Sequence, residues 1–180
     1  MHGTLYEISE PDLLASINDK LVSMQESGEM DAVNSQMQKD TKAYVMNPPR
    51  VEGVITAIKP RSWLYNPSIT VQEDIKDADG KLIHGAGKKV NPLESLRLTK
   101  SLVFIDGSNE DQVTWAIDIH KNEKTKIIFV DGAVIELMAK HKVRFYFDQK
   151  GTLTSKFGIK QVPAIIRQEG TLLRIKEVVL

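Results

Sequence analysis

The sequence predicts an α/β protein whose C-terminal part, residues 101–180, carries a mixed β-sheet. A small β-rich module over 51–100 and a helical arm over 1–50 precede it. Three observations predict this. From Ser101 onward, apolar runs of strand length alternate with stretches of helical period, which implies parallel strands joined by right-handed crossovers. Two β-branched runs flank Glu169-Gly170 as a closing hairpin, which adds antiparallel strands. The first fifty residues keep helical spacing and stop at Asn47-Pro48-Pro49, which cannot continue a helix.

In the arm, Ser9-Glu10-Pro11-Asp12 reads as a helix start, with Ser9 as cap, Pro11 in the first turn and Asp12 as the capping-box acid. Leu13, Leu14, Ile17, Leu21 and Met24 follow at helical spacing. Gly28 breaks the run, and a second helix continues through Met30, Val33, Met37 and Tyr44. The apolar stripe is narrow and holds four of the six methionines, Met24, Met30, Met37 and Met46. Unbranched Met adapts to irregular or exchangeable surfaces. The arm therefore reads either as a helical hairpin packed on its own domain or as an element that docks on another protein, with Met24, Met30 and Met37 as candidate contacts.

In the β-rich module, Val51 to Ile58 and Ser68 to Ile75 are candidate strands. Asp77-Ala78-Asp79-Gly80 is a turn, Lys81 to His84 a further strand, and Asn91-Pro92-Leu93 closes the module. From Ser101, Leu102 to Ile105 is a buried-type strand. Ser108 is the expected cap of the next helix, with Asp111 three residues on and Val113, Ala116, Ile117 and His120 on one face. Lys126 to Val130 is the second strand, Ala133 to Lys140 a helix, Val143 to Phe147 the third strand and Thr152 to Phe157 a short helix. Val162 to Ile166 and Leu172 to Val178 form the hairpin.

Composition removes several classes of function. Net charge is zero, so the whole chain makes no electrostatic case for nucleic acid. Residues 1–50 carry eight acids and four bases, net −4, which leaves the remainder net +4. No apolar run reaches the roughly 20 residues of a membrane helix. The absence of cysteine excludes disulfides, thiolate metal sites and a cysteine nucleophile. The four histidines, His2, His84, His120 and His141, lack ligand spacing. Aligning Gly80 with the sixth position of a calcium loop would place Ile75 and Ala86 where oxygen ligands belong, so a plain turn is expected. Gly85-Ala86-Gly87-Lys88-Lys89 lacks the spacing and hydroxyl of a phosphate loop, and no Gly-x-Ser-x-Gly is present. Ser108 follows Gly107 at a helix N-terminus that could favour an anion, but a capping role is the simpler one. No catalytic residue, cofactor site or metal site emerges.

One stretch is distinctive. Phe147-Asp148 ends a strand, a short helix follows, and Phe157-Gly158-Ile159-Lys160-Gln161-Val162-Pro163-Ala164 leads into an apolar strand. This pattern resembles the thioredoxin fold. The resemblance implies a cis bond before Pro163 and a neighbouring backbone able to pair with an extended peptide, which makes Val162 and Pro163 candidate partner-binding residues. Asp148, Gly158 and Pro163 are its structural markers. Where thioredoxins carry Cys-x-x-Cys, this chain has Gly107-Ser108-Asn109-Glu110, so no redox nucleophile is available.

The likeness to a narrower family runs along nearly the whole chain. Its blocks are Glu10-Pro11-Asp12-Leu13-Leu14, Gln25 to Met30, Asn66-Pro67-Ser68, Asp74-Ile75, Asp79-Gly80 and Asn91-Pro92-Leu93. They continue at Phe104-Ile105-Asp106-Gly107, Gln112-Val113-x-Trp115, Lys126-Ile127-Ile128, Tyr146-Phe147-Asp148-Gln149-x-Gly151 and Gly158-Ile159-x-Gln161-Val162-Pro163-Ala164. In this order they resemble the TraW family of F-type conjugative type IV secretion systems, with Asn91, Pro92 and Trp115 among the structural markers. The resemblance implies a periplasmic protein whose signal peptide has been removed ahead of the present start. It implies a non-enzymatic role in pilus assembly and plasmid transfer, with TrbC and other periplasmic assembly proteins such as TraU as partners. A periplasmic chaperone or holdase for pilin or other secreted subunits is the alternative.

Overall fold

The computed structural model describes residues 12–180. The chain divides into two compact units, one ending at Tyr44 and the other running Val45–Leu180.

In the first unit, α1 spans Leu13–Glu26, and α2 (Glu29–Met46) continues two residues past the unit boundary. Asp12, expected as a capping-box acid, is itself the N-cap: its carboxylate accepts from the backbone N–H of Leu14 and Ala15. The Ser9 and Pro11 start signals lie outside the described residues. The break falls at Gly28, whose φ of +75° is left-handed. No residue of α1 or α2 is buried.

The second unit is built on six strands. In chain order, its elements begin with β1 (Ile55–Thr56), β2 (Arg61–Tyr65), β3 (Ile69–Thr70), β4 (Ile75–Lys76), β5 (Leu82–His84) and β6 (Lys89–Val90). A 3-10 turn at Pro92–Glu94 follows, then β7 (Ser101–Asp106), α3 (Glu110–Asn122), β8 (Thr125–Asp131), α4 (Val134–His141) and β9 (Phe145–Phe147). After a second 3-10 turn at Gln149–Gly151 come α5 (Thr152–Phe157), β10 (Gln161–Val162), β11 (Ala164–Glu169) and β12 (Leu172–Glu177). The main sheet has the order β2-β12-β11-β7-β8-β9. Strands β7, β8 and β9 run parallel, and β11, β12 and β2 pair antiparallel, so the sheet is mixed as expected.

Alternation along the central strands divides the core between the two faces. Val103, Ile105, Ile127, Phe129 and Ile165 pack under α3 and α4. Phe104, Ile128, Val130, Ala164, Ile166 and Ile175 pack on the opposite side, with Phe157 of α5 and with Val51 and Val54. These last two residues show that position 100 is not a structural boundary. β2 is a full strand of the main sheet, and the Trp63 indole donates to the Phe157 carbonyl at 3.1 Å. Asn91 caps its 3-10 turn and donates to the Thr171 carbonyl at 2.9 Å, tying the module's end to the hairpin.

Several expected strands differ in extent. Only Ile55–Thr56 of the Val51–Ile58 run is strand, and Ser68–Ile75 splits into β3 and β4, which pair with β6 and β5. The α3 cap is Asn109 rather than Ser108: its side chain accepts from the N–H of Asp111 and Gln112. Ser108 instead donates from its N–H and its hydroxyl to Asp106 Oδ1.

At the hairpin end, Arg174 forks onto Glu169 at 2.8 and 3.0 Å. That hydrogen bond, reinforced by the charge of Arg174, holds the Glu169 carboxyl below the usual carboxylate range. A group with a lowered folded pKa stabilises above its unfolded pKa and loses that contribution as pH falls through the folded value. A carboxyl-detected NMR titration should therefore place the Glu169 midpoint below that of an ordinary Glu, and Arg174→Gln should raise it. Gly107 gives a second expectation. A Cβ there would lie 2.8 Å from the Asp131 carbonyl and press into the Phe129 ring. Gly107→Ala should lower stability by about 2 kcal/mol, seen as a lower urea midpoint at unchanged m.

Candidate partner-binding site

The parallel strands β7 and β8 end in Asp106 and Asp131. Carboxylates at neighbouring strand ends repel each other unless a cation stands between them. Arg50 fills that place, with NH2 3.1 Å from Asp106 Oδ2 and NH1 3.0 Å from Asp131 Oδ2. The Asp106 side chain is 5% exposed, whereas Arg50 is 46% exposed, so a buried carboxylate meets a cation that still reaches water. The next residue, Val51, donates its N–H to the Val130 carbonyl at 2.8 Å. The chain then runs beside the loop before Pro163.

The Val162–Pro163 bond is cis, as expected from the sequence. The edge it was expected to offer is already occupied. Ile55 donates its N–H to the Lys160 carbonyl at 3.0 Å and Ala57 to the Val162 carbonyl at 2.8 Å, so β1 lies parallel on β10. The Gln112 amide also reaches the Val162 carbonyl, while its oxygen accepts from the Asp106 N–H. Val162 and Pro163 are buried. Where a partner strand was expected beside Val162 and Pro163, residues 55–57 of the same chain pair with residues 160–162. The α3 N-terminus is likewise engaged, because Asn109 accepts from the N–H groups of Asp111 and Gln112, and Asp106 accepts from that of Ser108 just before the helix.

A buried carboxylate sets the geometry of this edge. Glu177, with no exposed side-chain surface, accepts from the N–H of Lys160 at 2.7 Å and of Gln161 at 3.1 Å. It also accepts from the Gln161 amide at 2.9 Å and pairs with Arg61. The Gln161 side-chain oxygen in turn accepts from the Ile58 N–H at 2.9 Å. One side chain thus joins β12, β10 and β2, and through Gln161 it holds the covering segment. Its burial was not legible in the sequence: Glu177 sits in an alternating strand, but nothing local shows which face is inward.

The other sequence candidates are dispersed. Met24 and Met30 are half-buried and Met37 is 61% exposed, all on α1 and α2. Trp115 is half-buried beside the α3 core. Asp148 is 1% exposed and accepts from the Leu153 and Thr154 N–H groups and the Thr154 hydroxyl, each at 2.8 Å, so it starts α5. Gly158 ends that helix at φ +72°, where a side chain would be strained. Asn91 and Pro92 form the 3-10 turn described above. These are structural positions. The Asp77 turn is closed by its own backbone, with Asp77 Oδ1 accepting from Asp79 and Lys81. Among the described residues no group of three or more His, Asp or Glu gathers as a metal site. Among them, too, no helix is long and apolar enough to cross a membrane.

The chain is 34% identical over 163 residues to Protein TraW of Escherichia coli K12, covering 90% of this chain and 78% of that protein. It belongs to the TraW family. No family model and no solved structure matches it.

Replacing Glu177 with Ala strands two buried N–H groups and should cost about 3 kcal/mol. Arg61→Ala leaves the buried carboxylate its backbone donors but removes its half-exposed counter-charge, and should cost about 2 kcal/mol. Urea unfolding of the two variants checks the order.

Proposed function

We propose that this TraW-family chain is a non-enzymatic, periplasmic assembly factor of a conjugative type IV secretion system, acting through protein–protein contacts. Membership of the TraW family along most of its length is the observation that carries this reading. We further read the second unit as thioredoxin-like, on the strength of the β-α-β-α-β order, the cis proline and the closing hairpin. In that reading the position of the redox helix start holds Gly107-Ser108-Asn109-Glu110, which has no thiol to exchange. The filled edge over Pro163 and the ion-paired strand ends then fit a scaffold used for contact. TrbC and TraU are the partners this reading names.

The experiment is a conjugation assay with the gene deleted and then restored. Deletion should abolish pilus formation and plasmid transfer, and the wild-type chain should restore both. The purified chain should bind purified TrbC and show no reduction of insulin disulfides above background. Normal transfer without the gene would remove the assembly role, and thiol-independent turnover would remove the non-enzymatic one. A holdase would instead delay aggregation of several unrelated unfolded proteins without forming a stable complex with TrbC.

A further inference from the structure

The segment that closes the Pro163 edge creates a new edge outside it. In β1, Ile55 and its second neighbour Ala57 turn their N–H groups to β10. Alternation in a strand therefore turns the N–H and C=O of Thr56 the other way, and Thr56 is exposed. In the same segment Ile55 is 53% and Ile58 73% exposed. A single exposed isoleucine means little, but these two line one cleft of about 420 Å³.

The rim of that cleft is cationic. Lys59, Arg61 and Lys160 line it, and no acid does. Lys59 and Lys160 make no ion pair among the described residues. Arg61 is held in place by Glu177 behind it and by stacking on the Trp63 ring at 4.9 Å, so its guanidinium is set without a partner in front. Gln161 fixes the Ile58 backbone from beneath. The result is a short free strand edge at Thr56 beside a cleft that carries two apolar contacts and three cationic side chains, Arg61 among them already paired with Glu177.

We propose that this cleft binds an extended segment of a partner protein, added as a strand beside β1, in which apolar residues are followed by acidic ones. Backbone pairing at Thr56 supplies the register, Ile55 and Ile58 take the apolar side chains, and Lys59, Arg61 and Lys160 take the carboxylates. The inference rests on reading the chain as a protein-contact factor and names the surface and chemistry of one contact.

The test uses the full chain, labelled with nitrogen-15, and two synthetic probes: acetyl-Gly-Ile-Val-Ile-Asp-Glu-amide and its counterpart ending in Lys-Arg. The acidic probe should shift the amides of Gly53, Thr56, Ile58 and Lys160 and bind at least about tenfold more tightly than the basic one, with affinity falling as salt rises. Ile58→Ser and the double variant Lys59→Glu, Lys160→Glu lie on the surface and should each weaken binding about tenfold or more while leaving the urea midpoint in place. The idea fails if neither probe shifts these amides at millimolar concentration, if both bind alike, or if the shifts fall on α1 and α2. It also fails if sedimentation shows this face closed by a second copy of the chain. In the conjugation assay, a deletion that abolishes transfer beside surface variants that keep it would sink the cleft and spare the assembly role. Transfer without the gene would sink the assembly role itself.

Discussion

Two carboxylates, Asp106 and Asp131, end adjacent parallel strands, and the guanidinium of Arg50 lies between them. Placing a cation there brings the chain of residues 50–57 across the strand ends, where Val51 enters the core and Ile55 and Ala57 hydrogen-bond to the backbone before Pro163. A parallel sheet normally leaves a crevice at the carboxyl ends of its strands, and ligands bind there. In this protein that crevice is filled by its own chain. Behind the Arg50 ion pairs the filling is packed and apolar. Val51 and Val54 are buried, and the carbonyls of Lys160 and Val162 are satisfied. Opening it would expose apolar surface and strand hydrogen-bonding groups at once.

Glu177 is the second half of the same device. A buried carboxylate is costly unless every lone pair is used. Here two backbone N–H groups, an amide and a guanidinium use them. Because those donors come from two distant parts of the chain, residues 160–161 and Arg61, one residue of the last strand fixes the loop before the cis proline. Gln161 then carries that order out to Ile58. The exposed cleft is therefore built on a rigid base although it lies at the edge of the unit, which lowers the entropy lost on capturing an extended segment.

The helical arm follows a different physical regime. In α1 and α2 the apolar residues repeat at helical spacing, yet none is buried, and the caps are local: Asp12 at one end of α1 and the left-handed Gly28 beyond the other. Helices of 14 and 18 residues with no fully buried residue draw little on packing and lean on propensity and capping. Met24, Met30 and Met37 thus stand on elements with little packing energy of their own, unlike Ile55 and Ile58, which stand on a packed sheet.

The sequence by itself determined what is local. The strand-helix order from Ser101, the α5 helix from Thr152 to Phe157, the hairpin at Glu169-Gly170 and the break at Gly28 all follow from apolar period, glycine and proline. The absence of cysteine likewise excludes thiol exchange on composition alone. Tertiary structure decided what depends on distant partners. The five-residue run Arg61–Tyr65 becomes an edge strand only because β12 offers it a ladder, and Val51–Ile58 shortens to two strand residues because β10 is short. Whether Val162 and Pro163 face a partner or the interior rests on a segment about a hundred residues earlier in the chain. Periodicity cannot see that contact, because hydrogen bonds between separate stretches of backbone leave no pattern in either stretch alone.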